Sequence, residues 1–206
     1  LVDYHGKPGV GQAYFWPVDV KGNTPKINEF SFSTAGTDVE YLELIGLPNT
    51  DYSRYSVLEI EADIDNSYVG RIEGVFSMGT TDENGLFLKD LNPNDLENSS
   101  IILLLVNEFT GAEGDDLDTD DDGVFDVMPW SEIGDSIAID DYIDDGFSYG
   151  APKLYAYYDG MNYAPGGASR IPDGVDTDSI DDWVRNDFNL AGIPGETGTI
   201  DFGEAY

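Results

Sequence analysis

The sequence predicts an all-β fold in which two sheets pack as a sandwich, and three observations carry that prediction. From Lys26 onward, short segments of strand-like composition are separated by turn residues, the pattern of a sandwich rather than a helical bundle. One apolar run, Ile101-Ile102-Leu103-Leu104-Leu105-Val106, is bounded by Asn98-Ser99-Ser100 and Asn107 and has the length of a strand buried on both faces. Aromatic residues make up 13% of the chain, which separates it from acidic disordered chains, whose poverty in such residues leaves too little apolar surface to bury.

The first 25 residues are read as an arm or edge strand, and residues 26–206 as one sandwich domain. Within the arm, Gln12 to Val20 has strand composition, and Pro17 confines it to an edge or a bulge. His5, the one histidine, has no second His or Cys to join it as a ligand and is read as a surface residue. Strands are expected at Ile27 to Ser33 and at Val39 to Ile45, where Glu40 and Glu43 interrupt Val39, Tyr41 and Leu44 as on a strand with one wet face. Leu47-Pro48-Asn49-Thr50-Asp51 is a turn. Three further strands are expected at Tyr55 to Ala62, Tyr68 to Phe76 and Gly85 to Leu91, with turns at Asp65-Asn66 and at Asp82-Glu83-Asn84-Gly85 between them. The buried run Ile101 to Val106 follows, and Asp135 to Asp140 alternates as another strand.

A net charge of -33 excludes classes of partner. Between Asp90 and Pro152 there is no Lys or Arg, so nucleic acid and anionic membranes would be repelled rather than steered in. No apolar run reaches the roughly 18 residues that span a bilayer, and membrane insertion is not expected. The absence of Cys rules out a disulfide scaffold and a thiolate metal site. A chain opening on Leu1-Val2-Asp3 rather than Met reads as a secreted protein whose signal peptide has been removed.

The stretch Gly114 to Val127 reads as a calcium loop. Asp118, Asp120 and Asp122 fall at alternate positions, Gly123 follows directly, and Asp126 closes the run. Ca2+ takes six to eight oxygens at roughly 2.3–2.6 Å. Short carboxylates at positions 1, 3 and 5 can converge on one point, Gly123 permits the sharp turn, the Val124 carbonyl points back at the ion, and Asp126 ligates directly or through water. Where an EF-hand places its bidentate Glu, this chain has Pro129. The loop therefore matches the shorter D-x-D-x-D-G-x-x-D pattern of extracellular modules, its missing ligand coming from Asp115, Asp116, Glu132 or Asp135. Seven carboxylates between Asp115 and Asp126 repel one another without a cation, although a solvated acidic turn would use the same residues. Two weaker candidates are Asp141 with Asp144 and Asp145, and the run from Asp173 to Asp182, where Asx-turns and caps use the same residues. In that C-terminal region Arg170 is expected to pair with a carboxylate and pin a strand to a loop, and Trp183 to anchor the core.

Several motifs together resemble the lamin tail domains carried by bacterial secreted proteins. They are I-N-E-F-S-F-S-T-A-G-T-D-V-E-Y-L-E-L at Ile27 to Leu44, G-D-D-L-D-T-D-D-D-G-V-F-D at Gly114 to Asp126, and P-G-G-A-S-R-I-P-D-G at Pro165 to Gly174. D-T-D-S-I-D-D-W-V-R-N-D-F at Asp176 to Phe188 and A-G-I-P-G-E-T-G-T at Ala191 to Thr199 continue the order. The resemblance implies an immunoglobulin-like β-sandwich without catalytic activity of its own. Residues 1–25 match nothing in it, and relatives run on beyond Tyr206.

Catalysis has little support. There is no pair of histidines for a catalytic zinc, no G-x-S-x-G elbow, no Walker loop and no dinucleotide fingerprint. The expectation is a secreted, calcium-stabilised sandwich with a structural or interaction role. It either self-associates through strand addition of the N-terminal arm or serves as an accessory module of a larger secreted nuclease, phosphatase or adhesin.

Overall fold

A computed structural model of the chain describes residues 24–34, 38–141 and 146–186. Ten strands and a single 3-10 turn account for its regular structure, and no α-helix occurs among the described residues. The strands are β1 (Lys26–Ser31), β2 (Tyr41–Ile45), β3 (Tyr55–Glu61), β4 (Ile72–Ser77), β5 (Leu86–Asp90), β6 (Ile101–Asn107), β7 (Glu132–Ile139), β8 (Lys153–Leu154), β9 (Gly167–Arg170) and β10 (Trp183–Arg185). They form two five-stranded sheets, ordered β10-β9-β1-β2-β5 and β4-β3-β6-β7-β8. All pairings are antiparallel except β7 with β8. The expected arm, with His5 and Gln12 to Val20, lies outside the described residues apart from Thr24 and Pro25. So do Asp144 and Asp145, and the Ala191 to Thr199 motif.

The apolar run in β6 is buried along its whole length because both of its faces are covered. Ile101, Leu103 and Leu105 point into the space between the sheets, where they meet Val57 and Ile137 of their own sheet and Phe30, Leu42 and Leu44 of the other. The alternate residues Ile102, Leu104 and Val106 point the opposite way, into a second apolar cluster with Leu58, Ile60 and Ile72. Period-2 alternation separates these two sets. What covers the second face is the acidic segment itself: Leu117, fully buried, with Phe109, Phe125 and Trp130 packed beside it.

A buried acid interrupts the first core. Glu59 in β3 is 1% exposed, pairs in register with Leu103, and accepts a hydrogen bond from the Glu97 backbone N–H at 2.6 Å. Burial pushes its carboxyl up to about 8, with the nearby charges of Glu97, Glu73 and Glu40 adding to the effect. A carboxyl whose folded-state pKa lies above its unfolded value of about 4.3 favours the folded state when protonated. Its contribution is fully present below pH 4.3, declines as pH rises, and is gone above about 8. Glu59→Gln keeps the acceptor and removes the charge. The variant is expected to be more stable than the parent at pH 9, with the gap closing as pH falls towards 4, in urea unfolding measured across that range.

Candidate metal centre

The acidic loop is positioned by the β4 side of the second sheet. Ile72 N–H donates to the Asp115 carbonyl at 3.0 Å, Gly114 N–H to the Ile72 carbonyl at 2.8 Å and Leu117 N–H to the Gly70 carbonyl at 3.0 Å. Arg71 and Asp116 form an antiparallel bridge between them. The expected strand Tyr68 to Phe76 therefore starts only at Ile72, because the residues before it turn to receive the loop. Gly70 has a φ of +80°, and a Cβ there would lie 2.7 Å from the Asp118 Cβ, so a side chain would collide with the site.

Asp118 is buried and organises the turn that follows it. Its Oδ1 accepts the Asp122 N–H at 3.1 Å, and its Oδ2 accepts the Gly123 N–H at 2.8 Å and the Tyr149 hydroxyl at 2.8 Å. By accepting the N–H groups four and five residues ahead, Asp118 curls the chain back so that Asp126 returns beside it. Asp126 N–H donates to the Leu117 carbonyl at 2.7 Å, and Asp126 Oδ2 accepts from Thr119 N–H at 3.0 Å. Asp121 and Gly123 supply the left-handed backbone of the turn, with φ of 55° and 84°.

Asp118, Asp120 and Asp126 each offer a carboxylate oxygen within 4.8 Å of the others. Oxygens on opposite sides of a calcium ion with bonds of about 2.4 Å are about 4.8 Å apart, so the triad fits a hard divalent cation. Of the other expected ligands, Asp122 stands outside the triad and accepts the Val124 N–H at 3.0 Å, and the Val124 side chain is exposed. Asp120 accepts no hydrogen bond from a described residue, and its carboxyl is raised above the usual range, first by the Asp122 charge, then by partial desolvation and by Asp126 and Asp118. Added negative charge with nothing to offset it is what a cation would relieve.

The four residues considered for a further ligand are engaged elsewhere. Asp115 Oδ2 accepts from Ala112 N–H at 2.7 Å, and Asp116 Oδ1 from Asp118 N–H at 3.2 Å. Glu132 accepts from the Tyr55 hydroxyl at 3.0 Å, and Asp135 lies between the sheets with Arg170. Of the weaker candidate around Asp141, the described residue accepts from Ser100 Oγ at 2.9 Å. The run from Asp173 to Asp182 is organised by cations of the protein itself. Asp176 pairs with Lys26 at 2.6 Å and with Arg170 at 3.3 Å, and Asp182 lies 3.5 Å from Arg170 while accepting from Thr177 N–H at 2.7 Å. Although burial works against ionisation, these partners hold both carboxyls below the usual range.

Sequence reasoning did not anticipate the aromatic floor of the loop. Tyr149 stacks on Phe125 with centroids 4.2 Å apart and planes 3° from parallel, Trp130 meets Phe125 edge-on, and Phe147 meets Tyr149 edge-on. Burial, followed by the hydrogen bond to Asp118, raises the Tyr149 phenol well above its ordinary value, so it remains a donor. Only the aromatic content of the two flanking segments hinted at this contact; which ring reaches Asp118 is a tertiary fact. Tyr149→Phe retains the stack and removes the donor to a buried carboxylate. It is expected to cost roughly 1.5–3 kcal/mol in calcium-free denaturant unfolding.

No protein-family model matches the chain, and no curated protein and no solved structure is detectably similar to it.

Proposed function

We propose that the chain is a calcium-stabilised β-sandwich with a structural or interaction role outside the cell, immunoglobulin-like in class and akin to the lamin tail domains its motifs resemble. The observation that carries the calcium part is the convergence of Asp118, Asp120 and Asp126 within 4.8 Å. The site lies where the acidic loop closes over the second apolar cluster, so a bound ion would clamp that cover in place. A rigid clamp, rather than a switch between helices, is the role supported by a loop zipped to β4 on one side and tied to Tyr149 on the other. Self-association by strand addition of the N-terminal residues completes the reading, motivated by the uncharged, aromatic Tyr14-Phe15-Trp16 ahead of β1.

Titration calorimetry of the full chain with calcium tests the first part. Binding in the range of about 0.1–1 mM is expected, as for extracellular modules, and Asp118→Asn should weaken it at least tenfold. Heats no larger than those of dilution would refute the calcium reading.

A further inference from the structure

The edges of the two sheets are not equally open. On β7, Lys26 Nζ covers the Gly134 carbonyl at 3.3 Å, Asp135 Oδ1 accepts the Ser136 N–H at 2.8 Å, and Ala138 N–H donates to the Pro152 carbonyl at 2.9 Å. On β5, the outward groups of Leu86 are taken up by Asp82, and Lys89 stands opposite the core residue Leu42. An inward-facing charge on an edge strand is a device against further pairing. The last strand of the first sheet, β10, is three residues long.

Past Glu73, whose charge and β-bulge guard its start, the β4 edge has none of these protections. Met78 N–H donates to the Tyr55 carbonyl at 3.0 Å, so in register the backbones of Gly74 and Phe76 also face β3, and those of Val75 and Ser77 face away. Ile72 is paired with the acidic loop, whereas Val75 and Ser77 have no backbone partner among the described residues. The eight residues from Gly74 to Thr81 carry no charge, in a chain whose net charge is -33. Val75 is half-buried and Ser77 exposed. This is an uncharged, unguarded strand edge of the kind that accepts another strand.

We propose that the β4 edge accepts residues 12–18 of a second copy of this chain as an added strand, a proposal that rests on the reading of the N-terminal segment as a pairing arm. Those residues, Gln12 to Val18, are themselves uncharged and include Tyr14, Phe15 and Trp16, so the meeting of two strongly acidic molecules is placed where like charges are absent. The chain enters β1 on the other flank. A Cβ on Gly134 of β7 would stand 3.2 Å from Thr24 Cγ2, and β7 is three strands from β4 in the sheet, about 14 Å at normal strand spacing. Donor segment and acceptor edge are different parts of the chain, and a head-to-tail contact of this sort closes into a ring or propagates into an open filament according to the rotation it imposes.

Ser77→Pro removes one outward N–H without touching a β3–β4 hydrogen bond, and proline is tolerated at such an edge position. Light scattering on the full chain should show assemblies, whereas Ser77→Pro should remain at the monomer mass of about 22.5 kDa and a deletion of residues 1–23 at its own, correspondingly smaller, monomer mass. Mixing the two should yield one-to-one dimers and nothing larger, because one lacks only the acceptor and the other only the donor. If Ser77→Pro melts below the parent, Ser77→Cys capped with a bulky maleimide blocks the same edge, selectively because the chain has no other cysteine. Assembly of both edge-blocked proteins alongside a monomeric deletion variant would overturn the β4 assignment and leave the arm reading standing. Assembly of the deletion variant, or a full chain that stays monomeric, would overturn both.

Discussion

Replacing Arg170 by alanine is expected to destabilise the protein by about 3–5 kcal/mol, the largest effect of any single substitution considered. Arg170 is 1% exposed on β9 of the first sheet and makes a forked contact with Asp135 on β7 of the second, with both distances 3.0 Å. Its Nε donates to the Ile27 carbonyl at 2.9 Å, one of its terminal nitrogens donates to the Val175 carbonyl at 3.0 Å, and its guanidinium lies 4.4 Å over the Trp183 ring. One side chain thus ties the two sheets, the 173–182 segment and an aromatic anchor together. Truncation leaves Asp135 buried without its cation and Asp176 and Asp182 facing each other, and an uncompensated buried charge costs more than the pair contributed. Arg170→Ala with Asp135→Asn removes both charges and should recover part of the loss. The check is urea unfolding of the parent, the single variants and the double variant as a thermodynamic cycle.

Leu117→Ala is expected to cost about 2–5 kcal/mol. Leu117 is fully buried on the outer face of the second sheet among Leu58, Ile60 and Leu104, although it sits between acidic neighbours on both sides. Removing its side chain leaves a cavity under the loop and frees the segment that carries Asp118. Amide hydrogen exchange separates this from a general loss of stability. Protection should fall most at Gly114, Leu117 and Asp126, whose N–H groups tie the loop down, while β1 and β2 stay protected. Equal loss across both sheets would mean that the loop does not cover a separable second core.

Much of the framework is legible in the residues. The Ile101 to Val106 run was expected to be buried on both faces, and β6 is; β1, β2, β3 and β5 fall within one or two residues of their expected spans, since turns such as Asp82 to Gly85 mark their ends. Arg170 pairs with carboxylates and Trp183 packs in the core beside Phe30, as the sequence suggested. Less could be read where tertiary contacts decide. The short strands β8 and β9 lie in Gly- and Pro-rich text with no alternation, and pairing with β7 and β1 makes them strands. The loop follows closely on the buried strand β6 in the sequence, yet its register comes from Gly70 to Ile72, over forty residues earlier in the chain. Nor does spacing distinguish Asp120 from Asp122. Alternation makes them equivalent, but the fold turns one towards Asp118 and Asp126 and engages the other with the Val124 N–H. Glu59 gives no local sign of burial either, because an acid in an alternating strand ordinarily marks the wet face.

Calorimetric melting of the full chain and of Asp120→Ala, each with chelator and with about 10 mM calcium, tests the cation clamp most directly. An affinity of about 0.1–1 mM implies roughly 1.5–3 kcal/mol of stabilisation in the parent at that concentration, a rise in melting temperature of about 3–10 °C for a domain of this size. Asp120→Ala should lose most of that rise while melting close to the parent in chelator, since the exposed Asp120 side chain receives no hydrogen bond from a described residue. A parent whose melting temperature is unmoved by calcium, or a variant that responds as strongly as the parent, would contradict the assignment of the Asp118, Asp120 and Asp126 cluster as a calcium site.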